Sequence, residues 1–182
     1  MRIAVMTVLL FLLSARSLEA SEWQVDASQS TLGFEFSYEG EHFPGTFKQF
    51  APRISFDPAS ATGQFDVTID LGSSSTDDSE WDSYLHGSNF FAVKTAPIAR
   101  YRAERFEPSA EGFVAHGELS LRGKTNPVDL RFTWAGDPSE SVLDGEASLQ
   151  RLDFNVGGGE WAEDETIGKT VIVRTHLVLT AQ

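Results

Sequence analysis

Apolar and polar residues alternate with a period of two along most of this chain, the mark of half-buried strands. Leu32, Phe34, Phe36 and Tyr38 alternate with Gly33, Glu35 and Ser37. Phe65, Val67, Ile69 and Leu71 are interleaved with Asp66, Thr68 and Asp70. The same pattern runs through 113–122, 128–134, 143–149 and 171–179, with weaker runs over 53–56 and 98–106. Turn chemistry separates the runs: Asp57-Pro58, Glu111-Gly112, Gly123 to Pro127, Gly136-Asp137-Pro138 and Gly157-Gly158-Gly159. This predicts about eight antiparallel strands in one all-β domain over 21–182. Each strand has one apolar face. A flat sheet would leave that face in water, so the sheet must close as a barrel or fold over as a sandwich.

One segment departs from the pattern. Residues 77–87 read DDSEWDSYLHG. Ser79 followed by Asp82 fits a capping box with Asp in place of Glu. Trp81, Tyr84 and Leu85 fall on one face at helical spacing, and Gly87 sits where a helix would end. A short amphipathic helix in an all-strand chain must cover something, and an open barrel end is the natural place.

Strand parity also puts small residues on apolar faces. Ala115 and Gly117 lie between Phe113 and Leu119, and Gly145 and Ala147 lie between Leu143 and Leu149. A barrel of about eight strands is just wide enough to be filled by side chains or to hold one small ligand. Two readings stay open: a hollow interior, or room for Phe34, Phe36, Phe132 or Trp134 packing across.

Residues 1–20 read as a secretory signal peptide. Arg2 precedes an uncharged, mostly apolar run over 3–13, and a more polar stretch ends at Ala20, the expected cleavage point. The run is too short to cross a bilayer, which takes about 20 residues. The expected location is the periplasm, with no stable membrane insertion after cleavage. The chain carries 27 acidic against 14 basic residues, a formal net charge of -13; losing Arg2, Arg16 and Glu19 takes it to -14. Such a balance disfavours nucleic acid, whose binders need a basic patch, and docking to anionic lipid headgroups. The absence of Cys excludes disulfides, thiolate metal sites and a Cys nucleophile, so packing alone must hold the domain.

Catalytic chemistry is thin. No two of His42, His86, His116 and His176 stand at helical metal-ligand spacing, and His116 and His176 fall on the polar parity of their strands. The acidic runs Asp77, Asp78, Glu80, Asp82 and Glu160, Glu163, Asp164, Glu165 lack the EF-hand spacing. No serine sits in a G-x-S-x-G context, and there is no phosphate or dinucleotide loop.

Four segments, in order across essentially all of 21–182, resemble the YceI family. They are EWQVDASQSTLGFEFSYEGEHFPGTF, SYLHGSNFFAVKTAPIARYRAERF, GELSLRGKTNPVDL and RLDFNVGGGEWAEDETIGKTVIVRTHLVL. Gln29 and Glu39 stand where many members carry His, and Ala92 where many carry Asp, so polar contacts through those positions do not carry over. The resemblance implies a lipocalin-like antiparallel barrel of about eight strands, with the short helix covering one end. It implies an exported protein with no established enzymatic activity, cofactor or metal. Some members hold a long isoprenoid, of quinone or polyprenyl type, or another amphiphilic lipid.

The expected function is that of a periplasmic carrier or sequestering protein for such a lipid. Each methylene taken from water is worth about 0.8 kcal/mol, so a long tail does not persist free in solution. The expected lining is Phe34, Phe36, Phe47, Phe65, Ala115, Gly117, Leu119, Leu130, Phe132, Trp134, Leu143, Gly145 and Ala147. Trp81, Tyr84 and Leu85 would form a lid, with Phe90 and Phe91 beneath it. Arg53, Arg100, Arg102 and Arg122 are candidates to meet a head group at the mouth. Two other classes remain: an enzyme acting on a lipid in the same barrel, and a stress-related interaction module using Trp161 in the 157–165 loop. A homodimer is compatible with any of these.

Overall fold

The computed structural model describes residues 22–137, 139–162 and 166–181. The expected signal peptide lies outside them, as do Glu163, Asp164 and Glu165. Eleven strands and one α-helix form among the described residues. They are β1 (Glu22–Val25), β2 (Thr31–Tyr38), β3 (Glu41–Phe47), β4 (Phe50–Asp57), β5 (Thr62–Asp70), β6 (Ser74–Ser75), helix α1 (Ser79–His86), β7 (Ile98–Ser109), β8 (Gly112–Leu121), β9 (Lys124–Gly136), β10 (Glu140–Gln150) and β11 (Thr170–Ala181).

Every pairing is antiparallel, and eight strands close a ring in the order β1-β4-β5-β7-β8-β9-β10-β11. β1 makes the closure, pairing Trp23 with Ile54 on one side and with Ala181 on the other. Closure removes the free edges that an open sheet would expose. β2 continues along β11 beyond β1, from His176↔Thr31 to Ile172↔Glu35, and carries β3 and β6 on its outer side. These three extend the wall at one end of the ring.

The two ends differ in their connections. At one end the hairpins 57–62, 109–112 and 136–140 are tight, with Gly63, Gly112 and Gly136 at positive φ and a partner backbone where a Cβ would stand. At the other end lie the long connections 71–97, which contains α1, and 151–169. Helix α1 covers that end, as its apolar face requires.

The helix starts one residue earlier in its capping than the spacing predicts. Asp78 is the cap; its Oδ1 accepts from the backbone N–H of Glu80 at 2.8 Å and of Trp81 at 3.2 Å. Asp82 is therefore free of capping. It accepts instead from Ser75 Oγ at 3.0 Å, Thr76 N at 2.6 Å and Thr76 Oγ1 at 2.9 Å, and so ties the helix to the wall. One turn further on, His86 Nε2 lies 3.0 Å from Ser74 Oγ.

β3 escapes the alternation reading because Pro44 and Gly45 interrupt it. Pro44 is tolerated on an edge strand, since β6 pairs only with Thr46 and Phe47. Gly45 is required: a Cβ there would meet the Phe34 ring, 2.7 Å from Cε1.

Candidate functional site

Inward residues of the barrel divide into a packed plug and a cavity. The plug fills the tight-hairpin end. Phe56 is its hub, with ring centroids 5.1 Å from Phe106, Phe113 and Trp134 and 5.3 Å from Phe132. Trp23 joins through Trp134 at 5.2 Å, and its indole N–H donates to Phe56 O at 3.1 Å. Each such ring pair is worth about 0.5–1.5 kcal/mol beyond its burial, so the plug is a major share of the core.

The cavity occupies the other end, under α1 and the two long connections. Its volume is about 200 Å³ and its lining is almost wholly apolar. Thirteen of the eighteen residues expected to line it do so: Phe34, Phe36, Phe47, Phe65, Trp81, Tyr84, Leu85, Phe90, Phe91, Leu119, Leu130, Leu143 and Ala147. The helix side chains are arranged as a cover. Trp81 packs 5.1 Å from Tyr38, 5.6 Å from Phe43 and 5.9 Å from Phe36. Leu85 is buried, while Tyr84 is 53% exposed at the mouth. Phe91 packs beneath, against Phe34 at 6.2 Å and Phe47 at 5.9 Å.

The other five expected residues do not border the cavity. Phe132 and Trp134 belong to the plug. Ala115, fully buried, lies opposite Phe106 and Leu130 in its strand pairings. Gly117 seats the ring of Tyr101, and Gly145 seats Leu130 and Thr175, whose Cδ1 and Cγ2 would stand 3.0 Å and 3.1 Å from an added Cβ. At Gly117 and Gly145 smallness therefore serves packing of large neighbours, and only Ala147 of the four small residues faces open space.

The lining also includes residues that alternation alone does not single out. Phe154, Val156 and Ile167 come from the 151–169 connection, which has no period to read. Leu32, Val67, Ile69, Val171, Val173 and Leu177 lie on recognised strands and follow from extending the same parity.

Two polar groups inside the cavity, Tyr101 and Arg151, are spent on the protein itself. Tyr101 sends its hydroxyl toward Ala115 O at 3.1 Å and Val128 O at 3.2 Å, and burial raises its pKa. Arg151 is buried and donates from Nε to Gly168 O at 3.0 Å, from Nη1 to Val156 O at 3.1 Å and Gly157 O at 2.5 Å, and from Nη2 to Trp161 O at 2.9 Å and Ile167 O at 3.3 Å. A guanidinium has five N–H donors, and Arg151 makes five bonds to carbonyls of the described residues. Arg151 thereby satisfies carbonyls of a connection that lies mostly outside the sheet and meets β2 at the Tyr38↔Ile167 bridge.

The four arginines proposed for a head group sit elsewhere. Arg53, Arg100 and Arg102 lie on the outer wall, because Ala99, Tyr101 and Ala103 take the inward parity of β7. Arg100 pairs with Asp66, Nε to Oδ1 at 2.6 Å, and that bond holds the carboxyl below its usual range. Arg102 Nε stands 3.6 Å from Asp66 Oδ2. Arg122 is at the open end, but it donates to the carbonyls of Ser88, Asn89 and Asn155 and clamps two connections together. Burial lowers its pKa.

His116 lies between Asp129 at 2.8 Å and Glu107 at 3.2 Å, and His176 lies 2.7 Å from Asp144, all on the outer face. Among the described residues no three His, Asp or Glu converge as metal ligands. Trp161 is half-buried with its ring 5.8 Å from Phe90, tucked against the cavity end.

The profile of the YceI-like domain family matches residues 23–179. A UPF0312 protein of Photorhabdus laumondii is 27% identical over 165 residues, covering 84% of this chain and 86% of its own. The crystal structure of Burkholderia cenocepacia BcnA is similar at 29% identity and a TM-score of 0.81, covering 85% of this chain and 99% of that one. A polyisoprenoid binding domain from Saccharophagus degradans, implicated in plant cell wall breakdown, has the same fold at 18% identity and a TM-score of 0.68, covering 90% and 99%.

Proposed function

Because this chain belongs to the YceI-like domain family, we propose that it is a periplasmic carrier that shelters a long isoprenoid, of quinone or polyprenyl type, in its barrel. The observation that carries this reading is the apolar cavity of about 200 Å³ under a helical cover. A buried methylene is worth about 0.8 kcal/mol, so a tail moved from water into this lining is held without any polar contact. The name of the Saccharophagus degradans domain, which has the same fold, agrees with an isoprenoid occupant.

The cavity favours binding over chemistry. Catalysis on a bound lipid needs a titratable group available to the substrate. Tyr101 and Arg151 border the cavity, and both are engaged with backbone carbonyls. The expected export signal at 1–20 supports the periplasmic location. The test is to purify the protein from its native periplasm, extract it with organic solvent and identify the released molecules by mass spectrometry. An isoprenoid in stoichiometric amount is the expected result; protein recovered from the cytoplasm, or carrying only a polar solute, would refute the reading.

A further inference from the structure

Phe65 belongs to two structures at once. It borders the cavity, yet its ring packs 4.8 Å from Phe106, 5.3 Å from Phe132 and 6.0 Å from Phe56. None of those three rings borders the cavity. They are held in turn by Phe113 and Trp134, each 5.1 Å from Phe56. Phe56 and Phe65 are 0% and 1% exposed. A close-packed aromatic cluster of this kind does not yield to a flexible chain pressing on it. The other deep residues of the cavity, Leu143 and Leu177, are buried as well.

The cavity also has a definite depth. On β2 it is bordered from Tyr38 at the mouth to Leu32, six residue steps. At about 3.4 Å per residue and a strand tilt of roughly 40°, that is about 15 Å along the barrel.

We infer that Phe65 is the length stop of the cavity. The apolar chain enters past Tyr38, Trp81 and Tyr84 and advances until it meets this ring. The plug behind Phe65 keeps the ring in place, so the stop sets the longest chain that is fully sheltered. Below the mouth the polar groups Tyr101 and Arg151 are already engaged with backbone carbonyls, so within the cavity chain length is the property selected. This inference rests on the carrier reading above.

The test uses the full mature protein, stripped of lipid and offered an equimolar mixture of linear prenols from farnesol to solanesol. Bound species are read by native mass spectrometry. Wild type selects a preferred length. Phe65→Ala shifts the bound population toward longer chains, and Phe65→Leu, which keeps most of the apolar bulk and so the fold, shifts it the same way by less. Ala147→Phe, whose ring fills space above the stop, shifts it toward shorter chains. An unchanged length profile in a folded Phe65 variant would overturn the stop while leaving the carrier reading intact. Wild-type protein that takes up no prenol would overturn the carrier reading, and the stop with it.

Discussion

The ring of Tyr101 occupies the space that a side chain at Gly117 would need. A Cβ added at Gly117 would stand 2.5 Å from the Tyr101 hydroxyl oxygen and 2.6 Å from the carbonyl oxygen of Arg102. The hydroxyl is held between the carbonyls of Ala115 and Val128, so the ring cannot swing aside without losing both. Gly117 and Tyr101 are thus one packing unit contributed by adjacent strands.

Gly117→Ala should therefore destabilise the barrel by about 1–3 kcal/mol, the usual cost of overpacking. Tyr101→Phe should cost about 1 kcal/mol, because only the hydroxyl's bonding is lost. Urea titration of both variants reads the difference. A Gly117→Ala protein as stable as wild type would show that the ring relaxes more freely than its bonds imply.

Ala147 presents the opposite case. It is inward on β10, opposite Val173, and borders the cavity. A phenyl ring added there enters apolar space that is empty in the unliganded protein. Ala147→Phe should leave the stability of the lipid-free protein within about 0.5 kcal/mol of wild type, since filling a cavity can offset the strain of a larger side chain. The same substitution should reduce the amount of lipid that co-purifies. Denaturant titration with lipid quantification checks both halves.

Arg151 should prove structural. Replacing it with Met leaves the carbonyls of Val156, Gly157, Trp161, Ile167 and Gly168 without its donors. Each unsatisfied buried acceptor costs about 1–3 kcal/mol, so the loss should reach several kcal/mol even after some carbonyls find water. Arg151→Lys should not rescue it, because an ammonium has three donors and no planar fork. Hydrogen exchange over 151–169 should accelerate in both variants before the strands do.

The lid should loosen in acid. Burial pushes the Asp82 carboxyl upward, but bonds from the Thr76 N–H and from the Thr76 and Ser75 hydroxyls, with His86 nearby, outweigh that and leave its pKa below 3.8. Folding thus favours the ionised form. Its contribution is fully present above the unfolded value and is lost as pH falls through the lowered folded value. Lipid release should accelerate below about pH 4, and Asp82→Ala should release lipid quickly at neutral pH with little change in the urea midpoint. A pH-independent release rate in wild type would count against Asp82 as the tether.

The strand pattern by itself determined an all-β chain, the parity of nearly every long strand, a helix at Ser79–His86 and a wall of one domain. These are readable because alternation and capping are local: a side chain's face depends on its neighbours one or two positions away. The four segments resembling the YceI family carried the fold further, to a closed barrel with one covered end. What only the tertiary structure decided is how the interior is filled. Tyr101 meets Gly117 from the next strand, Leu130 and Thr175 meet Gly145 from either side, and Phe56 gathers rings from 65 to 134. Whether a small inward residue opens a cavity or seats a large partner depends on which side chains face it across the barrel, and strand closure sets that, not sequence spacing. The same holds for the arginines. Arg100 and Arg122 are alike in a strand-rich sequence, yet one pairs with Asp66 on the outer wall and the other joins two connections at the open end, because the partners lie 34 and 33 residues away.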